Sequence, residues 1–163
     1  SSPPGDADTV WARVPKRLRD DPELLAEHAR NLQAAGRGQQ AEVLLRHWLE
    51  NDWSDDLAAL YGHVSGANAG AQLDAAERWL RARPEDPTLL LALGRLSHRA
   101  ELWGKARTYL EAAIRYGAPP DACLLLADTL GRAGDTEAAR RYSLEGLRRA
   151  LAEQPLALPA PRA

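Results

Sequence analysis

The residues able to carry chemistry in this 163-residue chain are four histidines, one cysteine, and a scatter of arginines and carboxylates. Two imidazoles within one or two helical turns could hold a metal, but His28, His47, His63 and His98 are too widely spaced for that. His28 falls at a position expected to pack between helices. His47 follows Arg46 at a surface position, and His63 sits beside Gly62 near a helix end. His98 shares a helix face with Arg95 and Arg99 and is the histidine best placed to meet a ligand. Cys123 is alone, so it can build neither an internal disulfide nor a thiolate cluster, and its apolar setting predicts a buried, inert thiol. There is no nucleophile elbow, no His-Glu-x-x-His and no phosphate-binding glycine loop. The carboxylates Glu23, Glu27, Glu42 and Glu137 fall on faces expected to be solvated. No catalytic and no metal-ligating residue is therefore assigned, and a non-enzyme is expected.

Any surface must be positioned by helices. Hydrophobic residues make up 45% and charged residues 27% of the chain, proportions that suit a folded domain. Strong helix formers (Ala, Leu, Arg, Glu) dominate, while Phe and Met are absent, leaving Leu, Trp and Tyr as the large core residues. A net charge of −2 excludes a basic nucleic-acid binder and a polybasic membrane-surface anchor. Apolar runs such as Leu89 to Leu93 fall far short of the roughly 18 residues a membrane span needs. The lack of methionine leads us to expect a piece of a longer or processed protein.

An internal repeat organises the helices. From Pro22 the chain runs Leu25, Ala29, Leu32, Gly36, Ala41, Leu45, Trp48. From Pro120 it runs Cys123, Ala127, Leu130, Gly134, Ala139, Ser143, Gly146. Between them, Pro87 leads to Leu90, Leu93, Gly94, Trp103, Ala106 and Leu110, and a looser copy from Asp56 carries Leu57, Leu60, Tyr61, Ala75 and Trp79. The alanines Ala41, Ala75, Ala106 and Ala139 are 34, 31 and 33 residues apart, near the spacing of a tetratricopeptide repeat. Small residues let antiparallel helices approach: Ala29, Gly94 and Ala127 on first helices, and the four alanines on second helices. The fold class is thus an all-α tetratricopeptide-repeat solenoid of about four repeats plus a partial one at the N-terminus.

Punctuation predicts the boundaries. Asp21-Pro22 and Asp86-Pro87 place a capping carboxylate before a first-turn proline, Ser54 caps another helix, and Gly36, Gly117 and Gly134 end helices. Residues 1–7 read as disordered or added sequence, and 8–21 as the trailing helix of a truncated repeat, with Pro15 interrupting it. The array spans 22–153, divided at 22–55, 56–86, 87–119 and 120–153. Residues 154–163, with Pro155, Pro159 and Pro161, read as a disordered tail.

The string from Ala76 to Arg107, AERWLRARPEDPTLLLALGRLSHRAELWGKAR, followed by TYLEAA, is more specific than a generic repeat. With Trp11, Pro15 and Leu18 ahead of Asp21-Pro22, and Asp56-Leu57 ahead of Leu60-Tyr61-Gly62, it resembles the C-terminal tetratricopeptide region of proteobacterial HemY proteins. The resemblance runs from about Trp11 to Leu147. It implies an inner-membrane protein associated with late protohaem synthesis, its N-terminal anchor absent here, and a soluble repeat region on the cytoplasmic face. It carries no catalytic motif.

The expected function is a protein-interaction scaffold whose first helices line a concave surface. The residues assigned to that surface are Arg30, Gln33, Tyr61, Arg95, His98, Arg99, Asp128 and Arg132, with Glu27 beside them. Protein partners are expected, enzymes of haem synthesis foremost, as is self-association through the first helical segment or the C-terminal helix. No cofactor is assigned. The alternative is a porphyrin or haem module in which Arg95, Arg99 and Arg132 meet propionates and His98 is an axial ligand. Trp79 and Trp103 are expected in the core, and Trp48 and Trp53 as wedges between repeats.

Overall fold

The computed structural model describes residues 11–15 and 18–153. The terminal segments 1–7 and 154–163, together with residues 8–10 and 16–17 of the expected leading helix, lie outside the described residues. Of that leading segment, residues 11–13 are helical and stop ahead of Pro15, whose ring forbids a continuing helix. Its Trp11 stacks flat on His28, with centroids 4.2 Å apart and planes 4° off parallel.

Helices then follow in pairs: α1 (Pro22–Ala34) with α2 (Gly38–Leu49), α3 (Asp55–His63) with α4 (Ala69–Leu80), α5 (Pro87–Arg99) with α6 (Trp103–Arg115), and α7 (Asp121–Arg132) with α8 (Thr136–Glu153). There is no strand among the described residues. The first helices form one row, α1 on α3, α3 on α5 and α5 on α7, and each second helix packs on the first helix of the following pair. No described helix is long and apolar enough to cross a membrane.

The starts follow the caps read from the sequence. Asp21 accepts from the Glu23 and Leu24 amides, Asp86 from Thr88 and Leu89, and Ser54 from Leu57. Asn68 adds a fourth, accepting from Ala71 N at 3.0 Å. Such caps are each worth about 1 kcal/mol. α1, α6 and α7 stop at left-handed glycines. Gly36, Gly117 and Gly134 have φ of +74°, +91° and +89°. The amide that follows each one reaches back to a carbonyl in the last helical turn: Arg37 N to Leu32 O, Ala118 N to Ala113 O, and Asp135 N to Leu130 O. α5 ends the same way, Leu102 N on Ser97 O at 2.9 Å, but the left-handed residue is Glu101 at φ +58°. A side chain there costs about 1–2 kcal/mol.

The core is two clusters that share α5. Leu89, Leu93 and Leu96 belong to one cluster with Leu25, Leu45, Leu57 and Tyr61, whereas Leu90 and Leu91 belong to the other with Leu110, Leu126 and Leu130. Leu80 and Tyr109 touch both clusters. Three of the small repeat positions behave alike: Ala41 and Ala106 are fully buried and Ala75 nearly so. Ala139 is half-buried, facing Gly131 of α7. Two helix backbones meet closely at Gly62, where an added Cβ would lie 2.8 Å from Ala92 Cα of α5.

The second pair departs from the template. The backbones of α3 and α4 stand further apart than those of the other pairs. A five-residue loop (64–68) replaces the three-residue left-handed turn, and the bulky side chains of Tyr61 and Trp79 stand between the helices, ring centroids 4.9 Å apart.

Two substitutions test these contacts in opposite directions. Gly62→Ala gains about 1 kcal/mol of helix propensity but forces a methyl into the α5 backbone, an overpacking cost of about 1–3 kcal/mol. A net loss is expected because a backbone cannot rotate aside. Glu101→Gly relieves the left-handed strain and gives back about 0.5–1 kcal/mol to unfolded-chain entropy, so it should stabilise slightly. Urea unfolding of both variants reads the signs; a stabilised Gly62→Ala protein would refute the contact.

Candidate interaction surface

Two first helices, α5 and α7, converge on the surface that carries most of the candidate residues. Arg95 of α5 pairs with Asp121 of α7, its guanidinium side chain only 16% exposed while the carboxylate is 50% exposed. One turn along, His98 bridges the same two helices: Nε2 lies 3.1 Å from Asp128 Oδ2 and Nδ1 2.9 Å from Thr129 Oγ1. Arg132 Nε donates to the same Asp128 oxygen at 3.1 Å. The Thr129 hydroxyl also lies 2.8 Å from the Leu125 carbonyl, so its single proton serves either that carbonyl or the imidazole. Trp103, the first residue of α6, meets His98 edge-on at 5.3 Å. Arg95, His98, Asp128 and Arg132 are thus brought together by two cross-helix pairs, Arg95–Asp121 and His98–Asp128, and by the Asp128–Arg132 pair within α7. Arg30 lies apart and exposed on α1, beside the exposed Glu27.

The sequence-based expectation needs correction at four residues. Tyr61 is not on the surface: it is fully buried, and its hydroxyl donates to Glu42 Oε1 at 2.7 Å. Burial first, and the adjoining Glu42 second, push its phenol far above the ordinary tyrosine range. Glu42 in turn is buried rather than solvated, and Arg46 Nε donates to it at 2.9 Å. Arg99 is turned inward. It donates to Val64 O at 2.8 Å and to Gly62 O and Gln72 Oε1 at 3.3 Å each, capping the carbonyl end of α3, which has no left-handed cap of its own. Gln33 is half-buried and its carbonyl accepts from Ser65 N at 3.0 Å, tying α1 to the loop after α3.

Sequence reasoning missed Gln72, buried at 2%, whose amide donates to Tyr61 O and Val64 O and accepts from Gly66 N. It also missed Leu124, 50% exposed on α7 on the same face as Asp121 and Asp128. The signal was present: a leucine three residues after one aspartate and four before another. His28 and Cys123 are buried as expected, and burial raises the Cys123 thiol. His47 and His63 are exposed. Trp48 donates to Asp20 O and Trp53 packs on Trp79 under Arg83, so both indoles join neighbouring segments. Trp79 and Trp103 are half-buried. No group of three or more metal-binding side chains gathers among the described residues.

Histidine protonation opposes this arrangement. Desolvation, with Arg132 adding and Asp128 opposing, lowers the His98 pKa below its usual value. Desolvation, with Arg95 and Arg99 adding and Asp121 opposing, does the same at His63. The unfolded chain therefore takes up protons before the folded one does, and stability falls as pH drops below the ordinary histidine pKa of about 6.5. Melting temperatures should decline from about pH 7.5 to about 5.5, less steeply in His98→Gln; a melt that rises over that range would reverse the sign.

No family model matches the chain, and no curated protein matches it. Among solved structures, the chain is similar to two crystal structures of MamA, each 20% identical with a TM-score of 0.62; one alignment covers 91% of both chains, the other 95% of this chain and 90% of that one. It is also similar to MamA 41-end from Desulfovibrio magneticus RS-1, 18% identical, TM-score 0.60, covering 89% of this chain and 82% of that one. At these identities the likeness speaks to architecture alone. The chain is a helix–turn–helix solenoid of the tetratricopeptide type.

Proposed function

We propose that this chain is a non-catalytic interaction scaffold that holds a segment of a protein partner along its row of first helices. The observation that carries the reading is Leu124, half-exposed on α7 between Asp121 and Asp128, the two aspartates that pair with Arg95 and His98 of α5, and leaning toward Gly146 of α8. An apolar contact ringed by charges already fixed in place is how a recognition surface limits the entropy lost on binding. Those charges pair with one another at rest, so a partner must offer groups that share or replace the partners of Asp121 and Asp128, both half-exposed.

The narrower reading places the partner among the enzymes of late protohaem synthesis. Its support is the HemY-like string from Ala76 to Arg107 and the motifs flanking it. The same resemblance supports an inner-membrane protein whose soluble region faces the cytoplasm. The alternative, a haem or porphyrin module, is the weaker one. Both His98 nitrogens face Asp128 and Thr129, Arg99 is committed to the α3 carbonyls, and Arg95 and Arg132 are paired with aspartates.

Binding of purified late haem-synthesis enzymes to the chain, read by interferometry, tests the proposal. Leu124→Asp should weaken such a complex by about tenfold or more, the effect of a central contact. A complex indifferent to Leu124→Asp and Asp128→Arg would move the site elsewhere. Haem titration should give no saturable Soret shift; one abolished by His98→Ala would restore the alternative.

A further inference from the structure

The face of α8 turned away from the core is unlike the other solvated faces. Leu144, Leu147 and Leu151 are 67%, 56% and 57% exposed, the three most exposed large apolar residues described. With Arg140 they follow a 4-3-4 spacing, the period of a helix that seats another helix along a narrow seam. A shallow, open depression of about 320 Å³, lined by Thr136, Glu137, Arg140, Arg141 and Leu144, continues that seam toward the start of α8. The seam's charge is one-sided. Among the described residues neither Arg140 nor Arg141 is held by an ion pair, and Arg148, 80% exposed at its side chain, reaches only Glu145 within its own helix.

We propose that this face docks an amphipathic helix that presents a leucine-type seam flanked by acidic residues. The charge pattern selects among occupants. Two copies of α8 packed antiparallel would set Arg141 of one beside Arg148 of the other, twice. Packed parallel they would set Arg140 against Arg140. Like charges at a helix seam disfavour both arrangements, so the self-association expected of the C-terminal helix is not the pairing this face favours. An anionic bilayer suits it less well, since Arg140 lies on the seam's centreline, Glu137 lies at its start, and the apolar stripe is narrower than interfacial helices present. An acidic helix instead meets every arginine with a carboxylate while covering the leucines.

The test uses the whole chain and two labelled synthetic helical peptides. Both carry leucine at the heptad a and d positions; one is flanked by glutamate, the other by lysine. Fluorescence anisotropy should show saturable binding of the acidic peptide with a Kd of about 10–100 µM, and at least about tenfold weaker binding of the lysine peptide. Leu147→Asp should abolish binding, and Arg141→Glu with Arg148→Glu should reverse the preference. All three side chains are exposed, so circular-dichroism melts should be unchanged. Equal binding of both peptides, or no saturation by either, overturns the proposal. So does a dimer of the chain alone that Leu147→Asp dissociates, or a requirement for Leu147 in binding anionic vesicles without peptide binding. None of these readouts involves Leu124, so the first-helix row stands or falls separately.

Discussion

The stack depends on enclosing one helix. α5 buries Leu89 to Gly94, Leu96 and Ser97, leaving only Arg95, His98 and Arg99 partly in contact with solvent along its later turns. A helix apolar nearly all round must be covered on every side, and four neighbours do so: α3, α4, α6 and, more lightly, α7. Their approach is set by atoms that are missing. Gly62 lets α3 settle on Ala92, and Gly94 lets Leu110 of α6 lie against the α5 backbone. The tight enclosure also seals the Ser97 hydroxyl away without a hydrogen-bond partner, a penalty of about 1–3 kcal/mol that apolar burial must outweigh.

The same enclosure explains the divergence of the second pair. With α3 pressed onto α5 and its backbone held off α4, the gap is filled by Tyr61, Trp79 and Gln72 rather than by a close helix crossing. Buried polar atoms in that gap require partners, and Gln72 of α4 supplies them together with Glu42 of α2 and Arg99 of α5. Arg99 thereby serves α3 as the C-terminal cap that its own sequence lacks. The polar cluster is thus a consequence of the packing, which is why it holds side chains at rest and offers none to a ligand.

Much of this was legible in the residues and some of it was not. Spacing alone placed Ala41 and Ala106 in the helix crossings, because a small residue recurring at a fixed interval marks where two backbones meet. Caps at Asp21, Ser54 and Asp86 were equally plain, being local chemistry. Glu42 and Arg99 were misplaced for a common reason: each sits on a helix face that periodicity assigns to solvent, and each turns onto a partner far along the chain, whereas Tyr61 was put on the surface against its own register with buried Leu57. Glu101 shows the converse limit. A left-handed turn without glycine leaves no local trace, and only its alignment with Gly36 and Gly134 betrays it. The candidate surface was half legible, since Arg95, His98, Asp128 and Arg132 do converge while the exposed Leu124 beside them on α7 was not singled out.

Native-state hydrogen exchange of the α5 amides tests the enclosure most directly. If α5 is the shared core of both clusters, the amides of Leu91 to Leu96 should exchange only through global unfolding, with the full denaturant dependence of the equilibrium transition. Exchange of those amides through a smaller opening, while α1 or α7 stays protected, would mean that the stack is held together elsewhere.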